Sequence, residues 1–113
     1  MGYHAQTNED VKKIDESSFR QEIKHGVVLV DFYADWCGPC RMLSPVLEKV
    51  ATDMKGKAVV AKVNVDSALP IARENDVRGL PTMILYKEGK EVGRLVGLRD
   101  EAAIKEFISS AGY

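Results

Sequence analysis

Cysteine is scarce in this chain: its 113 residues include two, Cys37 and Cys40. So few cannot form the disulfide framework on which small secreted folds rest. They also fall short of the four ligands of a structural zinc site. The two histidines, His4 and His25, both lie upstream of the pair, outside zinc-finger spacing. No metal site is expected. An excess of one charge is missing too, since sixteen basic and seventeen acidic side chains leave a net −1. No basic field exists for nucleic acid or for an anionic membrane surface. Long apolar runs are also absent. The aliphatic run "VVLV" at 27–30 is far too short to span a bilayer. The opening "MGYHAQTNEDVKK" lacks the apolar stretch of a secretory signal. Gln6 stands where myristoylation would want Ser or Thr. These absences point to a cytoplasmic protein that binds neither nucleic acid nor membrane, with a monomer as the default.

What is present suits one globular domain. Hydrophobic residues make up 45% and charged residues 29%, an ordinary balance for that class. Residues 1–9 read as a flexible tail and 10–113 as the domain. "VKKI" at 11–14 fits a short first strand. Asp15 then precedes "ESSFRQEIKH", where Phe19 and Ile23 share a helical face, so a short helix capped by Asp15 is expected. "VVLVDFYA" (27–34) and "AVVAKVNV" (58–65) are near-continuous apolar runs, as in strands covered on both faces. Between them Leu43, Val46, Leu47, Val50, Ala51 and Met54 form a helical stripe over about 38–55, with Pro45 inside it. A short helix is expected over 67–76. "TMILY" and "EVGRLV" flank "KEGK", a hairpin turn in which Gly89 can take positive φ. Asp100 would cap a last helix with Ala103, Ile104, Phe107 and Ile108 on its apolar face. The fold class is therefore α/β. A βαβ unit, a connecting helix, a β-hairpin and a C-terminal helix build a mixed sheet with helices on both faces.

Cys37 falls where the strand over 27–34 hands over to the long helix. Functional groups gather at this carboxyl edge of parallel strands. The unpaired N–H groups of a helix start stabilise a thiolate, so Cys37 should titrate below the free thiol value. Cys40 lies one turn on, at i+3, within reach of a disulfide bond. So small a loop stabilises little, by about 2 kcal/mol in the loop-entropy picture. A pair that opens and closes explains the placement better than a staple, a metal clip or idle thiols. Cys37 would attack a substrate disulfide and Cys40 would resolve the intermediate. Pro39 suits the first helical turn, where its missing N–H has no partner to lose. Gly38 lets another backbone approach. Both would tune the pair.

Asp31 sits in the apolar strand ahead of the motif. A carboxylate there is costly to ionise, so its affinity for a proton should rise. Lys62 is the one ionisable residue of "AVVAKVNV" and its natural counterpart. The two could be a buried ion pair, or each could reach solvent at a strand edge. The functional reading has Asp31 exchanging a proton with Cys40, tuned by Lys62.

At these residues the chain resembles the thioredoxin family. The likeness rests on "WCGPC" at 36–40 after "VDFYAD", with Asp31 six residues before Cys37. It continues through Pro45, "AKVNVD" (61–66), "VRGLPT" (77–82), "EGKEVGRLVG" (88–97) and the last helix. It covers about residues 10–111 and implies the thioredoxin fold. It further implies that Pro81 matches the family's cis-proline opposite the cysteines, although from its residues alone Pro81 could be any turn proline. Were it cis, Leu80 would offer its backbone to an extended substrate. Trp36, Gly38, Pro39, Gly79, Leu80, Pro81 and Gly97 would form a flat, apolar docking surface. A packed core position is the plainer reading of Trp36.

The implied activity is general protein-disulfide reduction without a bound cofactor, the redox group being the Cys37–Cys40 pair. The implied recycling partner is an NADPH-dependent flavoprotein, thioredoxin reductase. An oxidase or isomerase-like domain, or a non-catalytic binding subunit, are the rival readings. Two departures from the family pattern stand beside the motif. Tyr33 occupies a position where Trp is frequent, and Asp35 one where Glu is common.

Overall fold

The computed structural model describes residues 10–112. The tail expected over residues 1–9 lies outside the described residues. The order is β1 (Val11–Lys13), α1 (Phe19–Ile23), β2 (Val27–Tyr33), α2 (Gly38–Asp53), β3 (Val59–Asn64), α3 (Leu69–Glu74), β4 (Thr82–Lys87), β5 (Lys90–Val96) and α4 (Glu101–Ser109). A 3-10 turn, Val65–Ser67, precedes α3.

The five strands line up as β1-β3-β2-β4-β5. Strand β3 runs parallel to β1 and to β2, while β4 is antiparallel to β2 and to β5. The sheet is therefore mixed, as the sequence predicts. Strand β2 lies at its centre, which explains why nearly every residue of "VVLVDFY" is buried. Alternation along the strands divides the core. Val28, Val30 and Phe32 pack with Phe19 and Ile23 of α1 and Ile71 and Ala72 of α3. Leu29, on the opposite face, packs with Leu43, Leu47 and Val50 of α2 and Ile104 and Ile108 of α4.

Two boundaries differ from expectation. Asp15 does not cap α1. Its carboxylate accepts from the Ser18 N–H at 2.9 Å and the Ser17 hydroxyl at 2.8 Å, and the Ser18 hydroxyl accepts from its N–H at 3.0 Å. That reciprocal turn satisfies the chain locally, and the helix starts only after Ser18. The helix expected over 67–76 is two pieces broken at Ala68. Pro70 has no N–H for the Asp66 carbonyl, so one helix cannot run through.

Between β4 and β5, Glu88 and Gly89 both take positive φ, +52° and +84°. This geometry matches the twist of a hairpin. Glu88 tolerates it because it is held at both ends. Its carboxylate accepts from the Gly26 N–H at 3.0 Å and its own N–H reaches the Gly26 carbonyl at 2.9 Å.

Candidate active site

Strand β2 ends at Tyr33 and α2 begins at Gly38, which leaves Cys37 as the N-cap of α2. The Cys37 sulfur accepts a hydrogen bond from the Cys40 backbone N–H at 3.2 Å. One of the orphan donors of the helix start is thus aimed at this sulfur. Pro39 lies in the first turn, where its lack of N–H costs no bond. Cys37 and Cys40 are joined as a disulfide, with their Cα atoms 5.2 Å apart. Both are buried, while Trp36 just before them is 68% exposed. Trp36 is therefore not a core residue.

Asp31 lies inside the sheet, 3% exposed. Its neighbour across the β2–β3 ladder is Lys62, yet the two do not pair. One carboxylate oxygen, Oδ1, has no hydrogen-bond partner. The Lys62 ammonium instead stands 5.3 Å above the centre of the Tyr33 ring. Burial lifts the Asp31 pKa to about 7, with the Lys62 charge pulling it back only in part. The buried-ion-pair reading of Asp31 and Lys62 is thus excluded for this conformation. Burial, then the charges of Asp35 and Asp31, raise the Tyr33 phenol above its usual value.

The Leu80–Pro81 peptide bond is cis. The Pro81 carbonyl accepts from the Gly97 N–H at 2.8 Å, which joins the two segments named in the sequence. Trp36, Cys37, Gly38, Pro39 and Leu80 converge on a groove of about 560 Å³. Pro81 is buried, and Gly79 and Gly97 do not line the groove. The expected flat surface is one wall of a cleft, because α3 rises beside it and contributes Leu69, Ala72 and Arg73. That opposite wall escaped the sequence reading. Its only signal was the apolar spacing of Leu69 and Ala72. Asp66 escaped as well, although it accepts the Trp36 indole N–H at 2.9 Å.

Among the described residues, no group of three or more His, Cys, Asp or Glu side chains could hold a metal ion, and no helix is long and apolar enough to cross a membrane.

A cysteine pair that closes across the first turn of a helix, beside an exposed Trp and an open groove, is the apparatus of a protein thiol–disulfide oxidoreductase. Similarity to known proteins narrows that class. The family profile Thioredoxin matches residues 10–110. The thioredoxin of Chlamydia pneumoniae is 45% identical over 100 residues, covering 88% of this chain and 93% of that protein. That of Chlamydia trachomatis serovar D is 43% identical over 99 residues, covering 88% and 96%. A solved structure of a mutant thioredoxin from Halobacterium salinarum NRC-1 superposes with a TM-score of 0.81 at 40% identity, covering 94% of this chain and 95% of that one. The chain belongs to the thioredoxin family and has the thioredoxin fold. Its activity is dithiol–disulfide exchange on proteins, through a redox-active cysteine pair and without a cofactor.

Proposed function

We propose that this chain works in the reducing direction on protein disulfides, with Cys37 as nucleophile and Cys40 as resolving thiol. The observation that carries this assignment is the Cys40 N–H aimed at the Cys37 sulfur at the start of α2. A donor there favours the thiolate of Cys37 over that of Cys40. In the dithiol form, the Cys37 thiolate attacks one sulfur of the target. A Cys37–target disulfide forms, and the other target sulfur leaves as a thiolate that takes up a proton. Cys40 then loses its proton and attacks Cys37. The second target sulfur leaves as a thiolate that takes up a proton, and the Cys37–Cys40 disulfide remains. Two electrons pass to the target. Asp31, which holds or releases a proton near neutral pH, is the acceptor for Cys40, with Lys62 moderating it. Gly38 and Pro39 keep the turn tight around the pair. Trp36 and the Leu80 backbone beside cis-Pro81 receive the substrate segment, with Gly79 and Gly97 supporting that edge.

Family membership implies protein disulfides as substrates and thioredoxin reductase as the enzyme that restores the dithiol. That reductase is an NADPH-dependent flavoprotein. A cytoplasmic setting fits, because reducing thiol pools there sustain the dithiol state.

The test is reduction of insulin with dithiothreitol as electron source. The protein should accelerate it well beyond dithiothreitol alone, and an unchanged rate would overturn the proposal. Thioredoxins lie at about −270 mV, the value expected for this protein. A measured potential of about −180 mV or higher would move the protein to the isomerase class.

A further inference from the structure

We propose that Tyr33 is a positioning residue of the exchange site: its ring holds the Lys62 ammonium away from Asp31 and so leaves that carboxyl free to carry a proton. This inference rests on the proton-transfer role given to Asp31 above.

The register sets the problem. Asp31 faces Lys62 across the parallel β2–β3 ladder, and Tyr33 faces Asn64 two steps further on. A long side chain at position 62 can lean either way along its strand. One direction takes the ammonium toward a buried carboxylate whose Oδ1 has no partner. By charge alone that is the stronger attraction. The ammonium is found in the other direction, 5.3 Å from the Tyr33 centroid. That distance is inside the roughly 6 Å range of a cation–π contact.

Two features favour this choice. Lys62 is only half-buried, and Asp31 is enclosed. Over the ring the ammonium keeps part of its hydration, whereas beside Asp31 it would lose it. The ring is also fixed in place. Tyr33 is half-buried and packed against the core cluster that holds Phe32 and Cys37, and its ladder neighbour Asn64 accepts from the Asp66 N–H at 2.9 Å, at the start of the 3-10 turn. The receptor for the ammonium is thus a ring of β2 seated against the core.

The surroundings of Asp31 contain little else that is charged. Strand β3 brings Lys62, and its own strand brings Tyr33, with Asp35 beyond. Across β4 its partner is Met83, which does not titrate. In the disulfide form Cys37 and Cys40 of α2 carry no charge. Movement of Lys62 is therefore the main way to change the field at Asp31.

The experiment follows the Asp31 carboxyl carbon by NMR against pH in the disulfide form. Tyr33→Phe keeps the ring and should leave the midpoint in place. Tyr33→Leu removes the ring, lets the ammonium approach Asp31, and should lower the midpoint by about half a pH unit or more. In a Lys62→Met background Tyr33→Leu should make no difference. An unchanged midpoint in Tyr33→Leu would overturn the proposal. So would an equal shift without Lys62, which would make the ring a desolvating cover only. Should Tyr33→Leu not fold, Tyr33→Met takes its place with the same expected sign. The titration is read with no substrate present, so it stands or falls separately from the rate of exchange.

Discussion

Trp36 gives its indole N–H to Asp66 at 2.9 Å, although 68% of the Trp36 surface is open to solvent. An exposed aromatic ring ordinarily samples several rotamers. This one is tied at its polar end, so its apolar face is held out beside Cys37 before any substrate arrives. Pre-ordering of that kind reduces the entropy lost on binding. Asp66→Ala should therefore raise KM for a protein disulfide by about fivefold, the equivalent of a hydrogen bond of about 1 kcal/mol. The rate at saturating substrate should hold. Steady-state insulin reduction separates the two parameters. A fall in kcat with KM unchanged would contradict the positioning role.

Asp31 makes stability depend on pH, and the sign follows from its raised pKa. The usual value is 3.8 and the folded value about 7. Below about pH 4 both folded and unfolded chains hold the proton, and the group costs nothing. From about pH 4 to 7 the unfolded chain releases it while the folded one keeps it, so stability falls as pH rises. Above about pH 7 the loss is complete, at roughly 4 kcal/mol. Asp31→Asn should remove this slope. It should be more stable than the parent at about pH 8 by a few kcal/mol and near equal at about pH 4. Denaturant unfolding at the two pH values is the measurement. The same variant should slow the resolving step, seen as longer-lived mixed disulfide in stopped-flow.

Cys40→Ser should trap targets. The serine cannot attack Cys37, so the mixed disulfide accumulates and runs as a covalent complex on non-reducing gels. Cys37→Ser should trap nothing. Equal trapping by both variants would remove the assignment of roles.

Gly93 of β5 lies against α4. A Cβ there would stand 2.9 Å from Phe107 Cε1, inside contact distance. Gly93→Val should destabilise by about 1–3 kcal/mol with exchange activity retained in the folded fraction. Thermal unfolding reads the loss.

Asp100 accepts from the Ala103 N–H at 2.8 Å and caps α4, remote from the cysteines in sequence. Asp100→Ala should cost about 1 kcal/mol of stability and leave insulin reduction unchanged. It serves as a control for variants near the groove.

Much of this was legible because the signals are local. Burial of "VVLVDFY" follows from its lack of polar residues. The position of Cys37 follows from the change of period between β2 and α2. Asp100 as a cap needed only its neighbours. Asp15 misled because a turn and a cap want the same residue, and the serines after it decided between them. Pro70, read correctly for what it lacks, would have divided the connecting helix. The apolar spacing of Leu69 and Ala72 marked a helix face, but not that it forms, with Arg73, the groove wall opposite Cys37. Those residues follow Cys37 by more than thirty positions, and nothing local says that the two meet.

By itself the sequence determined the elements, the placement of the cysteine pair at a helix start, and the oddity of an acid in a buried strand. Those depend on spacing and side-chain chemistry, which act over a few residues. Tertiary structure alone decided what that acid faces. The register places Lys62 opposite Asp31, and side-chain packing then turns the ammonium to Tyr33. Which of two neighbours a flexible cation chooses depends on desolvation and on a ring seated against the core. Both exist only once β2 and β3 lie side by side.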